Sequence, residues 1–129
     1  MSSESETDYK IAVDVETNFI SEQSMPEQNR YVFSYTVTIK NEGNIAAKLL
    51  TRHWYINHAN GKSEEVQGDG VIGEQPHLSP GEGFRYTSGT ILETPVGDMN
   101  GTYQMLADDG VEFDAEIPHF MLSVPNTLH

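Results

Sequence analysis

Apolar and polar residues alternate along most of this chain with the period of two that is typical of β-strands. The clearest run covers residues 30–41, where apolar side chains fall on one face and polar side chains on the other. The apolar positions are Tyr31, Phe33, Tyr35, Val37 and Ile39. Because successive side chains of a strand point to opposite faces, this run predicts a strand with one buried face.

The same alternation predicts further strands, separated by turns rich in glycine, proline and asparagine. These predicted strands cover residues 9–16, 47–58, 63–67, 83–93, 101–107 and 111–124, the last of them interrupted at Pro118. In the strand over 47–58, we expect Leu50, Trp54 and Ile56 to share the buried face. Trp54 is the single tryptophan and is predicted to be a core residue. Pro118 predicts an edge strand or a bulge.

No segment shows apolar residues at helical spacing, and about seven strands follow one another with regular turns. This pattern predicts an all-β fold, an antiparallel β-sandwich of the fibronectin type III or immunoglobulin-like kind. Tyr103, in a late strand, is a candidate tyrosine corner, in which the phenol bonds back to the chain. A length of 129 residues fits one domain. We therefore expect a flexible acidic tail over residues 1–8, a single domain over 9–126 and a short tail over 127–129.

Charge and composition narrow the possible partners. The formal net charge is −13, from seven basic and twenty acidic residues, and no Lys or Arg follows Arg85. Nucleic acids and anionic membranes are bound through clustered Lys and Arg, so neither is an expected partner. The acidic surface can aid solubility, or it can steer a basic protein partner. The chain contains no cysteine, which excludes thiolate metal sites and suits a reducing compartment. Without a signal-peptide pattern or a membrane span, we expect a cytoplasmic protein.

A G-x-G-x-x-G motif, formed by Gly68, Gly70 and Gly73, is the most distinctive segment of the chain. In a dinucleotide-binding fold this motif leaves a strand and opens a helix. Here Pro76 and Pro80 follow closely, and no helical pattern follows them. The context therefore argues against a Rossmann site and predicts a structured loop.

Two binding roles and one structural role remain open for this loop. Consecutive backbone N–H groups can form an anion-binding nest without a helix. The surrounding carboxylates of Asp69, Glu74 and Glu82 suggest instead a weak Mg²⁺-type site. In the structural alternative, the glycines shape a long connection between strands and the acidic side chains are simply solvated.

Catalysis finds little support in the residue pattern. No serine lies in a G-x-S-x-G nucleophile elbow. His53 and His58 are an odd number of positions apart on one predicted strand, so they should point to opposite faces and not form a metal pair. We predict that the protein is not an enzyme. The candidate groups are the hydroxyls of Ser79, Thr87 and Ser88 and the imidazoles of His53, His58, His77 and His119.

From about Tyr9 to Pro125 the chain resembles the ApaG family, because several motifs occur in the family's order. They are Trp54-Tyr55-Ile56, the segment from Gly68 to Pro76, Leu78-Ser79-Pro80-Gly81-Glu82, the segment from Phe84 to Gly89, Thr94-Pro95, the segment from Gly97 to Tyr103, and Ile117-Pro118-His119-Phe120. The resemblance implies a fibronectin III-like sandwich in a bacterial cytoplasmic protein.

The resemblance also implies what kinds of function to expect. Bacterial members are linked by gene neighbourhood to diadenosine tetraphosphate hydrolysis, and by phenotype to cobalt and magnesium resistance or efflux. Similar eukaryotic domains occur in an F-box protein and in a DNA polymerase delta-interacting protein, which implies a non-catalytic protein-interaction module without a cofactor. The alternative is a sensor of a nucleotide polyphosphate or of Mg²⁺ or Co²⁺. In that case the pyrophosphate-binding candidates are Gly68, Gly70 and Gly73.

Overall fold

A computed structural model describes the protein over residues 8–125. Two short 3-10 helices, Ser21–Gln23 and Pro26–Gln28, lie between the first two strands. The eight strands are β1 (Ile11–Phe19), β2 (Tyr31–Asn41), β3 (Ala47–His58), β4 (Ser63–Asp69), β5 (His77–Leu78), β6 (Gly83–Leu92), β7 (Val96–Ala107) and β8 (Glu112–Ser123). The predicted tails fall almost entirely on residues 1–7 and 126–129, which lie outside the described residues.

The strands form two antiparallel sheets packed face to face. One sheet has the order β1-β2-β6, and the other has the order β4-β3-β7-β8, with the short β5 also pairing with β3. This architecture confirms the predicted all-β sandwich of the fibronectin type III kind. Among residues 8–125, no helix has the length and apolar character needed to cross a membrane.

The two open sides of the sandwich differ. On one side β1 and β8, the edge strands of opposite sheets, pack against each other. On the other side β4 and β6 have few contacts with each other, and each pairs with only one neighbouring strand. The sandwich is therefore closed along β1 and β8 and open along β4 and β6.

Aromatic side chains fill the centre of the core. Trp54 is 2% exposed, as predicted. Its ring lies 5.3 Å from the ring of Tyr35 and 6.0 Å from that of Phe120, in edge-to-face arrangements typical of aromatic pairs. The predicted face of β2 is also confirmed, since Val37 and Ile39 are fully buried beside Tyr35.

One predicted core position is wrong. Leu49 is buried and Leu50 is only partly buried, because the pairing of β3 with β7 shifts register between Leu49 and Thr51. A bulge adds one residue to a strand and moves the following side chains to the other face. Because the prediction assumed a strict period of two along the whole strand, it assigned Leu50, and not Leu49, to the buried face that contains Trp54.

Several strand boundaries also differ from the prediction; β1, for example, covers Ile11–Phe19 instead of residues 9–16. The strand expected to begin at residue 101 begins at Val96, because Gly97 and Gly101 occupy buried positions where an apolar side chain would have marked the pattern. The last strand continues through Pro118 as a single β8. Pro118 does lie on an edge strand, at a register shift opposite Asn100, so both predicted features are present.

The predicted tyrosine corner is wrong. The phenol of Tyr103 bonds to the phenol of Tyr86 at 2.5 Å, and not back to its own strand. Because Tyr86 lies on β6 and Tyr103 on β7, this hydrogen bond joins the two sheets. Both side chains are buried. Burial raises the pKa of Tyr86 to about 12 and also raises the pKa of Tyr103 above its ordinary value.

We expect the buried phenols to make the fold sensitive to alkaline pH. In the unfolded chain a tyrosine loses its proton near pH 10, whereas folded Tyr86 keeps its proton to about pH 12. The stabilisation that comes from the buried, protonated phenols should therefore be fully present below pH 10, and the free energy of unfolding should fall as the pH rises towards about 12. Each phenol contributes a slope of about 1.4 kcal/mol per pH unit. Urea unfolding across this range measures the slope.

Tyr86→Phe should show a shallower decline than the wild type. Tyr55→Phe is the matched control, since this phenol lies outside the core and its side chain is 42% exposed. An identical decline in wild type and Tyr86→Phe would contradict the assignment of the alkaline sensitivity to the inter-sheet tyrosine pair.

Candidate functional site

The glycine motif lies between β4 and β5, where the chain makes a tight hairpin. Val71 and Glu74 exchange two backbone hydrogen bonds, with N···O distances of 2.8 and 2.9 Å. Between them, Ile72 and Gly73 have φ angles of 43° and 81°. Left-handed angles at both central positions are those of a type I′ turn. Gly73 therefore serves the turn.

Gly70 is needed for a different reason, because the chain folds back closely at this point. Its φ angle is 62°, and an added Cβ would lie 2.2 Å from the carbonyl oxygen of Glu74. Its N–H donates to the carbonyl of Leu50 at 2.8 Å, and the side-chain amide of Gln75 donates to the same carbonyl at 2.8 Å. These bonds attach the loop to β3.

Gly68 leaves room for Arg52. The two residues face each other in the register of β3 and β4. An added Cβ at position 68 would lie 2.8 to 2.9 Å from the guanidinium atoms. Arg52 Nη1 donates to the carbonyl oxygens of Asp69 and Gly70, both at 2.9 Å. The Arg52 side chain thus lies against the backbone of β4 and holds the start of the loop.

The backbone donors of the motif are mostly used within the protein. The N–H groups of Gly70, Val71 and Glu74 each donate to a backbone carbonyl. In an anion-binding nest, consecutive N–H groups instead converge on the ligand. Each of the three glycines has its own structural reason, and pyrophosphate binding by them stays a prediction that this geometry does not favour.

The three carboxylates predicted as weak metal ligands do not form a joint site. Glu82 Oε1 accepts a hydrogen bond from the N–H of Ser79 at 2.8 Å, in the turn before β6. Asp69 ends β4, and Glu74 belongs to the type I′ hairpin. Within residues 8–125, no group of three or more His, Cys, Asp or Glu side chains is arranged to hold a metal ion. Metal binding by Asp69, Glu74 and Glu82 stays a prediction that this geometry does not favour.

Each of the four histidines within residues 8–125 lies beside a carboxylate. The pairs, with their N···O distances, are His53–Glu65 (2.5 Å), His58–Glu64 (2.6 Å), His77–Asp108 (2.9 Å) and His119–Asp98 (3.3 Å). His58 is buried, and its Nδ1 accepts a hydrogen bond from the N–H of Glu93, which leaves the ring proton on Nε2 facing Glu64. His53 and His58 lie on opposite faces of β3, as predicted.

The predicted catalytic candidates are not brought together. The Thr87 hydroxyl bonds to that of Thr36 at 2.8 Å, and Ser88 lies beside the phenol of Tyr35. In the part of the chain that the structure describes, none of the candidate hydroxyls is hydrogen-bonded to a histidine. No nucleophile and base are therefore paired in the manner of a hydrolytic site.

An open cleft of about 320 Å³ lies between the two sheets, along β4 and β6. Its lining combines apolar and polar side chains from both sheets. The apolar ones include Trp54, Ile56, Val66 and Met99, and the polar ones include Tyr35, Arg52, Glu64 and Ser88.

Arg52 is the unusual member of this cleft. It is partly buried, whereas the other six Lys and Arg side chains are exposed. No carboxylate of residues 8–125 forms an ion pair with it, although Lys62 pairs with Glu93 and Arg85 with Glu16. The Arg52 charge also affects the nearby phenol of Tyr35. Burial raises the pKa of Tyr35, and a hydrogen bond with Ser88 and the positive charge of Arg52 partly offset that rise.

Arg52 was not among the residues predicted from the sequence, although a signal was present. Along β3, Arg52 lies two residues before Trp54 and four before Ile56. Its side chain is therefore on the same face of the strand, which is directed to the interior of the sandwich. Arginine is seldom buried unless its charge is paired. An arginine on the apolar face of a strand therefore marks a position that needs a structural or functional explanation.

Comparison with known proteins identifies the family. The family model described as the ApaG domain matches residues 21–107, well over half of the chain. The chain belongs to the ApaG family. The match includes Arg52, the glycine motif and β6, and it confirms the family resemblance that the sequence motifs indicated.

ApaG relatives extend this similarity over nearly the whole chain. Protein ApaG of Methylobacillus flagellatus is 59% identical over 121 residues, which cover 94% of this chain and 95% of the relative. Protein ApaG of Pseudomonas paraeruginosa is 55% identical over 125 residues, covering 97% and 99%. The crystal structure of the ApaA protein from Bordetella pertussis superposes with a TM-score of 0.91 at 45% identity, covering 94% and 98%.

The three ApaG motif glycines should differ in their tolerance of alanine. We expect Gly70→Ala to destabilise the fold by about 2–4 kcal/mol, because its Cβ meets backbone and its φ is positive. Gly73→Ala should cost about 1 kcal/mol, from its positive φ alone. Gly68→Ala should cost about 1–2 kcal/mol, since the flexible end of Arg52 can move but its hydrogen bonds to the loop weaken. Urea denaturation of the three variants measures this ranking.

The wild type and Gly110→Ala provide the reference, since Gly110 has a φ of 91°, has open space around it and is not part of the motif. A larger loss for Gly68→Ala than for Gly70→Ala would contradict the separate roles assigned to these residues.

Proposed function

We propose that this ApaG-family protein is a non-catalytic interaction module that binds an extended segment of another protein by strand addition to β6. The observation that carries the proposal is the free outer edge of β6. This strand is ten residues long, and within residues 8–125 it pairs only with β2. An unpaired edge presents a row of backbone N–H and C=O groups to which a partner strand can add.

The other sheet edges are better protected than β6. The edge strand β8 carries Pro118 and a bulge, and it packs against β1. The edge strand β4 has only seven residues, three of which are the acidic Glu64, Glu65 and Asp69. In contrast, β6 has one charged side chain, Arg85, and no proline. Charged residues, proline and bulges are the devices that keep natural edges from pairing.

The charge of the molecule indicates the chemistry of the partner. A net charge of −13 attracts basic segments and speeds their association at low salt. Two exposed apolar side chains flank the open side, Ile91 on β6 (44% exposed) and Val66 on β4 (37% exposed). We therefore propose a partner segment with alternating apolar residues and basic flanks.

The remaining parts of the proposal follow from the residues. None of the four histidines within residues 8–125 is hydrogen-bonded to the candidate hydroxyls, which supports a non-catalytic role. The absence of cysteine is consistent with a cytoplasmic location. In this proposal, the link to cobalt and magnesium resistance that the family resemblance implies acts through the partner protein.

The alternative proposal is a sensor that binds a nucleotide polyphosphate or a divalent cation at residues 68–73. It requires backbone donors that are already bonded within the protein, or carboxylates that do not converge. The surrounding acidic residues also repel a phosphate. Strand addition needs no rearrangement of β6, so it is the better supported of the two.

A peptide-display experiment tests strand addition. Peptides of about ten residues, close to the upper length of a strand, are selected on the wild-type protein and mapped by amide NMR. We expect the selected peptides to perturb and protect amides of β6 (Gly83–Leu92). The affinity should fall with added salt, because the partner segments are basic.

Matched charge substitutions on two edges provide the control. Ile91→Lys on β6 should weaken peptide binding at least about tenfold, since it adds a repulsive charge and removes an apolar contact. Met121→Lys on β8 changes a side chain that is 52% exposed and should leave binding unchanged. Both variants should retain wild-type stability to within about 0.5 kcal/mol. Selected peptides that perturb only β4 or β8, or equal effects of the two variants, would contradict the proposal.

A further inference from the structure

We propose that the cleft along β4 and β6 is a binding site for a small organic carboxylate, with Arg52 as the residue that holds the carboxylate group. This site adjoins the glycine motif, because Arg52 contacts both, and it does not depend on strand addition. Side chains pointing into the sandwich form the cleft, whereas strand addition uses the outward backbone edge of β6.

The hydrogen-bonding capacity of Arg52 is only partly used. Nη1 donates to the carbonyls of Asp69 and Gly70. Within residues 8–125, Nη2 and Nε make no hydrogen bond to another group of the protein. The planar guanidinium presents these N–H groups in a fork that matches the two oxygens of a carboxylate. The Nη1 bonds orient the fork before any ligand arrives.

Within residues 8–125, the charge of Arg52 also lacks a carboxylate partner. Leaving a partly buried cation unpaired is costly, and proteins normally place a carboxylate beside it. The chain has twenty acidic residues, and Glu64 even lines the same cleft. The carboxylate of Glu64 is instead bonded to His58 at 2.6 Å. No carboxylate within residues 8–125 thus occupies the position beside Arg52, which is left for the carboxylate of a bound ligand.

The walls of the cleft suit the rest of such a ligand. Trp54 and Met99 supply apolar surface, and the Tyr35 phenol and the Ser88 hydroxyl lie close to Arg52 as further polar groups. A volume of about 320 Å³ is at the small end of the range for ligand pockets. A single ring or a short aliphatic chain bearing one carboxylate fits this space.

The negative charge of the ligand favours a carboxylate over a phosphate as the ligand class for this cleft. Both can bind a guanidinium fork. A phosphate monoester carries close to two negative charges at neutral pH, and it would have to enter a molecule of net charge −13 with Glu64 at the cleft. A monoanionic carboxylate meets less repulsion and is therefore the assigned ligand class.

An amide NMR titration with benzoate tests the site, with benzamide as a neutral probe of the same shape and phenyl phosphate as a phosphate probe. We expect benzoate to bind with a Kd of about 1 mM, as is typical for so few ligand atoms. The saturable shifts should lie on the Arg52 Nε–H and on the amides of Ser88 and Gly89. Benzamide should cause no saturable shifts, and phenyl phosphate should bind more weakly than benzoate.

Three variants assign the effect to Arg52. Arg52→Gln should weaken benzoate binding at least about tenfold, the scale of a lost charged hydrogen bond. Ser88→Ala should weaken it about threefold to tenfold without disturbing the Arg52 bonds to the loop. Gly68→Ala should also weaken binding, because the added methyl displaces the guanidinium. Gly73→Ala, an identical substitution in the same motif with open space around it, should retain wild-type affinity.

Several results would overturn the site. Equal shifts with benzoate and benzamide would show that charge is not recognised, and tighter binding of phenyl phosphate would contradict the carboxylate assignment. Unchanged affinity in Arg52→Gln, or no saturable shift with benzoate at about ten times the expected Kd, would refute the role of Arg52. If Arg52→Gln fails to fold, Ser88→Ala and Gly68→Ala decide the question against Gly73→Ala.

Discussion

The hydrogen bonds from Arg52 to the carbonyls of Asp69 and Gly70 connect the glycine loop to the rest of the sandwich. They join β3 to the end of β4 and fix the first residues of the glycine loop. Hydrogen bonds from a charged donor are stronger than neutral ones, contributing about 1.5–3 kcal/mol. The same side chain forms part of the open cleft. One arginine thus sets the loop geometry and supplies the cleft's main positive charge.

In this structure the glycines of the motif have a different role from the one they have in nucleotide-binding folds. In nucleotide-binding folds the glycines let a backbone approach a phosphate. Here Gly68 lets a guanidinium lie against β4, Gly70 lets the chain approach Glu74, and Gly73 completes a type I′ turn. In this ApaG sandwich, the three glycines therefore allow the long connection after β4 to fold onto β3.

The asymmetry between the two sides of the sandwich directs where partners can bind. Packing of β1 against β8 closes one side. On the other side, the hydrogen bond between Tyr86 and Tyr103 holds β6 against the five-stranded sheet from within, while the outer edge of β6 stays unpaired. The sandwich therefore offers a rigid edge beside a cleft, which is a suitable geometry for binding without rearrangement.

The sequence predicted the strands well and the site poorly, for physical reasons. Alternation marks a strand whenever its buried positions are apolar, as in β2, but it fails at the Leu49 bulge and where Gly97 and Gly101 occupy buried positions. The partner of the Tyr103 phenol could not be predicted, because it lies on the other sheet. The same limit applies to Arg52. The alternation along β3 indicates that its side chain faces the interior of the sandwich, but only the packing of β4 and β6 shows which residues surround it.

The most direct test of this account is amide hydrogen exchange in the wild type and in Arg52→Gln. If Arg52 holds the loop, the amides of Gly70 and Val71 should exchange slowly in the wild type and at least about tenfold faster in the variant. The amide of Val37, in the centre of β2, should be unaffected. Unchanged exchange at Gly70 and Val71 would show that the loop keeps its structure without Arg52, and would contradict the central role assigned to this side chain.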